Sequence, residues 1–590
     1  MTSLRRRLLV APLAADVVVA VGCGLLYALI ARVVFDGRPL LIDEIVQVLQ
    51  ARMYAAGHLS TPVSIWPAFF SVLHVVDTGT RVYSQFPPGW PAMLVVGTFL
   101  HAEWLVGPVC GAVAVFAFAR LLRRLLPAGA AVSVLGGALV FGLGPFAAFQ
   151  FSSHMSHGPV VMWLVLSTVS LWHTVSGDGR GVARWALATG VCAGMAFAVR
   201  PLDAVAFGVV AGGWLMWRAR KDRGSRIALA VSAAGLAVPV LAVMWVNART
   251  TGSPFVFGYQ ALWGSAHGLG FHPAPWGEAH TPQRGVELLS LYATRLNTYL
   301  FETPFPSLLP AVLGLLTLRR LAPIERYLLM ATAVHGALYF AYWHDGFYLG
   351  PRFVTPWIPM LTLLCVHAGR SLSVEGVRRW YRVGASGAMA AALALTVFIA
   401  IPVRAAQYRA GLTSMREDYG AEATRAGAQD ALVFVHESWG AQLVARLWAL
   451  GVSRSATAGL YAHTDACVLE HAVTQAEAGN TRGALLETSL RHLMADSLLI
   501  RASNVSPDTT ERMLPGSVYD GTCSARVLAD REGYALYPPF LLDNTSGNTY
   551  ARDLGARDSL LVNANRGRPV FVVTRTGVDG TAPLKWIRIR

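Results

Sequence analysis

A series of long apolar runs, parted by short polar stretches, limits this chain more than any other feature. A bilayer core about 30 Å thick takes ~20 apolar residues to cross as a helix. Runs of that kind fall at 9–33, 131–151, 158–175, 184–200, 203–217, 226–247, 305–318, 324–343, 353–368 and 383–402. One more, 90–122, is long for one crossing and short for two. Inside lipid a segment must satisfy its own backbone polar groups, so these runs are expected as helices. The chain is 54% hydrophobic and only 14% charged, against roughly 25% charged in soluble domains. It cannot cover itself with a polar surface, and lipid must solvate part of it.

Loop charges orient the runs. Arg5-Arg6-Arg7, then Arg120, Arg123 and Arg124, then Arg218, Arg220, Lys221, Arg223 and Arg226 mark cytoplasmic ends, as do Arg319-Arg320 with Arg326 and Arg378-Arg379 with Arg382. The loops 34–88, 248–304 and 344–352 hold fewer basic residues for their length and go outside. The alternation closes if 90–122 crosses once, or once plus a re-entrant piece. That gives about eleven spans, with the N-terminus cytoplasmic and the C-terminus extracytoplasmic. The first run is too long for the ~7–15-residue apolar core of a signal peptide and is expected as an uncleaved span. A net charge of +15 then reflects cytoplasmic loops rather than a nucleic-acid footprint, and nucleic acid is excluded as a partner.

Two domains follow: 1–403, multi-span, and 404–590, polar and without a candidate span. In the second, Asp430–His436 reads as a buried strand, Gln442–Leu450 as a helix closed by Gly451, and Arg568–Thr574 as a later strand. A small extracytoplasmic α/β domain is expected, in which Cys467 and Cys523 are suited to one disulfide. Gly208 and Gly212 have the small-xxx-small spacing that lets helices approach closely. The stretch Gly142-Leu-Gly144-Pro-Phe-Ala147 fits a loose dinucleotide fingerprint but lies in an apolar run with no strand before it. No Walker A, His-Glu-x-x-His or Cys-x-x-Cys motif occurs, so ATP-driven transport has no support.

The first outer loop carries an acidic pair, Asp43-Glu44, directly ahead of an apolar stripe at helical spacing (Ile45, Val46, Val48, Leu49, Met53), with Gln47, Gln50 and Arg52 off it and Gly57 as terminator. This reads as an amphipathic helix lying in the membrane interface. Asp43 is suited to capping it, with Glu44 favoured in the first turn. A carboxylate at this boundary also suits a base, and partial burial would raise its pKa towards a useful value. Further on, Arg81-Val-Tyr83-Ser-Gln85-Phe86-Pro87-Pro88-Gly-Trp-Pro91 re-enters the membrane.

This arrangement resembles the C-type glycosyltransferase superfamily (GT-C), and more narrowly the relatives of protein O-mannosyltransferases and lipid A aminoarabinose transferases. Those enzymes have an Asp-Glu pair after the first span, an interfacial helix there, and a Pro-Pro motif opening the next membrane segment. The resemblance covers the whole architecture, but at motif level mainly residues 41–91. It implies a polytopic α-helical membrane protein, GT-C-like, of a bacterial plasma (inner) membrane. Its partners would be a polyprenyl-phosphate sugar donor, a cell-envelope acceptor (lipid, glycan or protein) and membrane lipid, with inversion at the anomeric carbon. Asp43 is then the catalytic carboxylate, and Glu44 positions it or binds a divalent cation; no other cofactor is implied. Relatives often carry a Lys before the Pro-Pro pair, where this chain has Phe86, so other groups must hold the donor phosphate.

Those groups should lie at outer ends of spans, where a departing phosphate develops charge. Arg200, in Val199-Arg-Pro-Leu-Asp203, and Arg352, in Gly350-Pro-Arg-Phe353, both oppose the positive-inside trend. An Arg on that side suggests an anionic partner, and its fork suits phosphate; for Arg200 the alternative is an ion pair with Asp203. His154 and His157 are candidates for the same phosphate or for the acceptor, the alternative being an interfacial turn with Ser153 or Ser156 as helix cap. His344 joins them from the loop 342–353. Tyr83, Gln85, Asp345 and Tyr348 are weaker candidates for sugar or acceptor. In the loop 248–304, Tyr259, Trp263, His267, His272, Trp276, Glu278 and His280 are suited either to stacking on sugar or to anchoring the interface, and the stretch to serving as a lid. Two other readings stand beside the enzyme. One is a lipid or glycan flippase, disfavoured because few ionisable residues sit inside the runs. The other is a sensor with 404–590 as its receiving domain.

Overall fold

The structure is a computed structural model. It describes the chain except residues 1, 128, 178–180, 276–278, 318–320, 345–346, 372–378, 412–415, 496–536, 544 and 577–581. Arg319, Arg320, Arg378, Asp345, Trp276, Glu278 and Cys523 therefore lie outside the described residues. The apolar runs fold as helices: α1 Thr2–Val33, then, past α2 Ile42–Ala55, α3 Gly89–Phe99, α4 Glu103–Leu125, α5 Ala131–Leu143, α6 Pro145–Ser152, α7 His157–Ser176, α8 Val182–Val199, α9 Pro201–Ala219 and α10 Arg223–Thr250. After α11 Gly258–Trp263 and α12 Pro282–Tyr299 come α13 Leu309–Thr317, α14 Pro323–Phe340, α15 Ile358–Ser371, α16 Arg379–Leu395 and α17 Ile401–Gly411.

Among the described residues six helices are long and apolar enough to cross a membrane, or seven if α5 and α6, bent by 57° at Gly144-Pro145, make one crossing. The eleven expected crossings are therefore not all of span length; α13 and α15, at 9 and 14 residues, fall short. Residues 90–122 resolve as the short α3 followed by the full-length α4, which fits one crossing plus a re-entrant piece. The boundary at 403/404 falls inside a helix. The segment Gly387–Gly411 is continuous because Arg404 does not end it: its Nε donates to Glu302 (2.9 Å) and its guanidinium lies over Tyr299 (4.5 Å). Gly208 and Gly212 meet no neighbour within 4 Å, so the close approach expected there is absent. It occurs instead between α8 and α10, where a Cβ on Gly190 would fall on the Ser232 carbonyl.

The polar tail forms a four-stranded sheet in the order β2-β1-β3-β4, from β1 Leu432–Val435, β2 Thr549–Arg552, β3 Val570–Arg575 and β4 Leu584–Arg588. Strand β1 runs parallel to β2 and β3, and β4 is antiparallel at the edge. Leu432–Val435 is buried throughout, as the apolar run implies for a central parallel strand. The helix after it, Trp439–Ala449, starts at a Ser438 cap and ends before Gly451 in the left-handed region (φ +80°). Cys467 is disulfide-bonded.

The tail grips the first outer loop. That loop forms a small sheet of Thr61–Pro62, Val75–Asp77 and Arg81–Ser84, with a 3-10 turn at Pro67–Phe69. Arg552, paired with buried Glu437, donates to the carbonyls of Ala68 (3.1 Å) and Ser71 (3.0 Å). Arg454 donates to those of Val72 (3.4 Å) and Val75 (3.2 Å). Val46, Val72 and Val75 share one apolar cluster with Val433, Phe540 and Phe571 of the tail.

Helix α2 consequently does not turn its glutamines to water. Gln47 and Gln50, read as off the apolar stripe, are each 2% exposed. Gln50 accepts from the Ser84 N–H (2.8 Å) and donates to the Leu59 carbonyl (3.0 Å). Tail and loop cover the face that the sequence alone leaves to water.

Candidate active site

Asp43 lies in the first turn of α2, not at its cap, which Leu41 occupies. The acid at the third position, Glu44, takes the capping role: its Oε2 accepts from the N–H groups of Leu40 (2.8 Å) and Leu41 (3.0 Å). Glu44 also accepts from the His154 N–H (3.0 Å) and the Tyr348 hydroxyl (3.1 Å). Burial is the largest influence on its carboxyl and raises its pKa, opposed by those bonds. Four donors around one buried acid tie the start of α2 to the α6–α7 junction and the 342–353 loop. This geometry fits positioning of its neighbour Asp43. Glu44→Gln puts an amide N–H among donors, so a loss of roughly 1–3 kcal/mol is expected for an unsatisfied buried group, read as a lower unfolding temperature of the purified protein.

Asp43 turns instead into a cavity of about 130 Å³ at one end of the helical bundle. The wall also carries His74, Gln85, Phe86, His157, Arg200, Asp203, Tyr259, His344 and Arg352. The stretches that the loop charges place on one side of a membrane thus meet at one cavity. Arg352 Nη1 lies 3.2 Å from Asp43 Oδ2, an ion pair by distance but off the hydrogen-bond line. His74 Nε2 lies 3.3 Å from Asp43 Oδ1. Burial alone would raise the Asp43 pKa, as expected from the sequence. Arg352, His74 and Arg200 together outweigh it and hold the group down at about 2. A depressed carboxylate stabilises the fold above its ordinary pKa of 3.8, and that contribution is lost as the pH falls through about 2. Asp43 is thus an anion throughout the physiological range.

Arg200 does pair with Asp203, by Nε to Oδ2 at 2.6 Å, and its Nη2 donates to the Tyr339 hydroxyl (3.1 Å). Burial opposes its charge, and Asp203 more than restores it. The pair does not take Arg200 out of the cavity. Its guanidinium carbon lies 5.5 Å from the Phe353 ring centroid, and that of Arg352 lies 5.3 Å from the same ring. Two cations therefore lie close to one aromatic ring. Among the described residues Nε and Nη1 of Arg352 and both ring nitrogens of His157 are buried without a hydrogen-bond partner. Buried polar atoms are rarely left so, and an anion between Arg352, Arg200 and His157 would satisfy them.

The other candidates divide. His344 is on the wall, with Nδ1 bonded to the Tyr342 carbonyl (3.0 Å) and Nε2 unpartnered among the described residues; burial pushes its pKa down to about 4. Gln85 is also on the wall, whereas His154, Tyr83 and Tyr348 are not. His154 serves through its backbone, its carbonyl accepting from Trp90 Nε1 (2.6 Å), while burial and then Arg52 lower its ring to about 4. Ser156 caps α7 by position without a side-chain bond. Phe86 lies on the wall, edge-on to His74 and Tyr259. From the 248–304 loop, Tyr259 and His267 line the cavity, stacked on each other at 4.7 Å, while His272 and His280 pair with each other away from it. The glycine of Pro87-Pro88-Gly89 is fixed by contact: a Cβ there would lie 2.5 Å from the Ala198 carbonyl carbon. This close approach seats the start of α3 beside the turn that holds Arg200.

No family model matches the chain, and no curated protein does. Two solved structures of ArnT from Cupriavidus metallidurans are similar to it. The one bound to undecaprenyl phosphate aligns at 15% identity and a TM-score of 0.46, over 95% of this chain and 93% of that one. The apo state aligns at 15% and 0.43, over 94% and 92%. Likeness at this level does not assign an activity. Among the described residues no three His, Cys, Asp or Glu side chains group as ligands for a metal ion.

Sequence reasoning did not single out His74, Tyr339, Tyr342 or His335. His74 is a lone histidine in a long loop, and the others sit in or beside an apolar run. Their only sequence signal is polar character where a span should be plain.

Proposed function

We propose that the chain is a membrane glycosyltransferase that moves a sugar from a polyprenyl-phosphate-linked donor to a cell-envelope acceptor at the outer face of a bacterial-type plasma membrane. One observation carries this reading: an ionised, partly buried Asp43 stands 3.2 Å from Arg352, in a cavity that Arg200 and unsatisfied His157 also line. The arginines hold the donor phosphate and stabilise the charge that grows as it leaves. Asp43 accepts a hydrogen bond from the acceptor's O–H or N–H and aims its lone pair at the anomeric carbon. The new bond forms there as the carbon–oxygen bond to phosphate breaks, its electron pair departing on the phosphate. Held near a pKa of 2, Asp43 does not retain the acceptor's proton, which passes to the departing phosphate monoester, whose second pKa is about 6. A single displacement of this kind inverts the anomeric carbon.

Against a transporter, the buried acids away from the cavity are matched. Asp16 is paired with Arg120 and Arg123, and Glu325 with His367. The test is mass-spectrometric profiling of lipid-linked sugars and envelope glycans in cells lacking the gene. One glycan modification should vanish while a polyprenyl-phosphate sugar accumulates on the outer leaflet. An unchanged envelope, or accumulation of the lipid on the inner leaflet, would count for a flippase or another role.

A further inference from the structure

The carboxylate in this cavity has a second neighbour that the mechanism has not used. His74 is 7% exposed and adopts a left-handed backbone (φ +63°), which a non-glycine residue holds only when its surroundings enforce it. The enforcement is visible. The Gln85 N–H donates to the His74 carbonyl (3.0 Å), and Arg454 of the tail donates to the carbonyls of Val72 and Val75 on either side. Strain kept at one residue, with its ring aimed at Asp43, calls for a reason.

The side chains supply a directional argument. Trp263 Nε1 lies 2.7 Å from Gln85 Oε1, and Gln85 Nε2 lies 2.8 Å from His74 Nδ1. An indole N–H can only donate. Gln85 must therefore turn its oxygen to Trp263 and its NH2 to His74, which fixes the amide by the network rather than by choice. His74 Nδ1 must then accept. The ring proton falls on Nε2, which points at Asp43 Oδ1 from 3.3 Å. The second acid of the cavity repeats the pattern: Trp357 Nε1 donates to His335 Nδ1 (3.0 Å), and His335 Nε2 lies 3.2 Å from Asp203 Oδ1.

We infer that His74 is a positioning residue for Asp43, locked as the Nε2–H tautomer by a hydrogen-bond chain that begins at Trp263 in the 248–304 loop. The inference rests on the transferase reading and extends it. His74 fixes one carboxylate oxygen, which leaves Oδ2 between Arg352 and the acceptor. Through Gln85, the seating of Trp263 sets that geometry, so the 248–304 loop acts on the reacting carboxylate without touching it. Gly258 at the start of α11 permits the seating, since a Cβ there would lie 2.6 Å from the Gln85 carbonyl oxygen.

The test uses the full chain, expressed in cells lacking the gene. Transfer is measured in their membrane vesicles from pH 5 to 9 with the endogenous lipid-linked sugar as donor. Binding of undecaprenyl phosphate to the purified protein is followed by native mass spectrometry. His74→Leu should cut transfer about 100-fold with undecaprenyl phosphate binding within twofold of the parent. His74→Gln, equally strained but able to donate one N–H, should recover about tenfold of that loss, one hydrogen bond to a charged group being worth roughly that factor. Gln85→Glu reverses the chain. A carboxylate opposite Nδ1 draws the ring proton to that nitrogen, and Nε2 then faces Asp43 as a lone pair. Transfer by Gln85→Glu should therefore fall towards that of His74→Leu, with undecaprenyl phosphate binding kept. Parental transfer in Gln85→Glu, no recovery in His74→Gln, or binding lost in step with transfer in His74→Leu would each overturn the inference. Full activity of Asp43→Asn would instead remove the transferase reading beneath it.

Discussion

Asp43→Asn should abolish transfer, by roughly 10³-fold or more, in a protein that still inserts and folds. Asparagine keeps the size of the side chain and an oxygen for His74. It lacks the charge that orders Arg352, and its amide is a poor acceptor for the nucleophile's proton. The mutant should reach the membrane in normal amount and still bind undecaprenyl phosphate, since the two cations beside Phe353 remain. The measurement is the transfer rate in vesicles together with lipid binding by the purified protein. A mutant that binds and transfers like the parent would make Asp43 a structural acid and end the mechanism.

Arg352→Ala should act on the other partner. Hydrogen bonds from a charged group to phosphate are worth roughly 1.5–3 kcal/mol each, so undecaprenyl phosphate binding should weaken about 10- to 100-fold. Arg352→Lys should restore only part, because an ammonium lacks the planar fork. The same change has a signature at the carboxylate. Burial raises the Asp43 pKa, and Arg352 is the largest influence lowering it. Without that guanidinium the group rises from about 2, so the acid limb of the remaining activity moves to higher pH. A mutant with full affinity and an unmoved acid limb would show that Arg352 faces neither phosphate nor Asp43.

How much of this site the sequence discloses follows from how far each signal is local. Asp43, Arg200 and Arg352 are legible because each breaks a simple rule: two are charges on the sparsely basic side of the chain, and one is half of an acidic pair at the lip of a helix. The cavity that joins them is not legible, because it depends on how α8, α9 and the 342–353 loop fold back together. Glu44 shows the division within one residue. Its bonds to the N–H groups of Leu40 and Leu41 follow from helix capping. Those from His154 and Tyr348 come from residues far along the chain and have no sequence pattern. Helix α2 was misread for a related reason: a stripe of apolar residues says which face is buried first, not that a distant domain will cover the remaining face. The strands of the tail were readable because a buried parallel strand is a short apolar run. Where the polar tail begins was not, since the helix before it runs on past its apolar stretch until Gly411.

The four loop carbonyls held by Arg454 and Arg552 bear on how such a chain can change over time. The tail grips the strap that carries His74, so its sequence is answerable to the geometry of a carboxylate in the distant bundle. An exchange of tails between two such proteins would bring in arginines set for another strap and leave this one unseated. Tail and strap should therefore have to be exchanged together if the carboxylate is to keep its place.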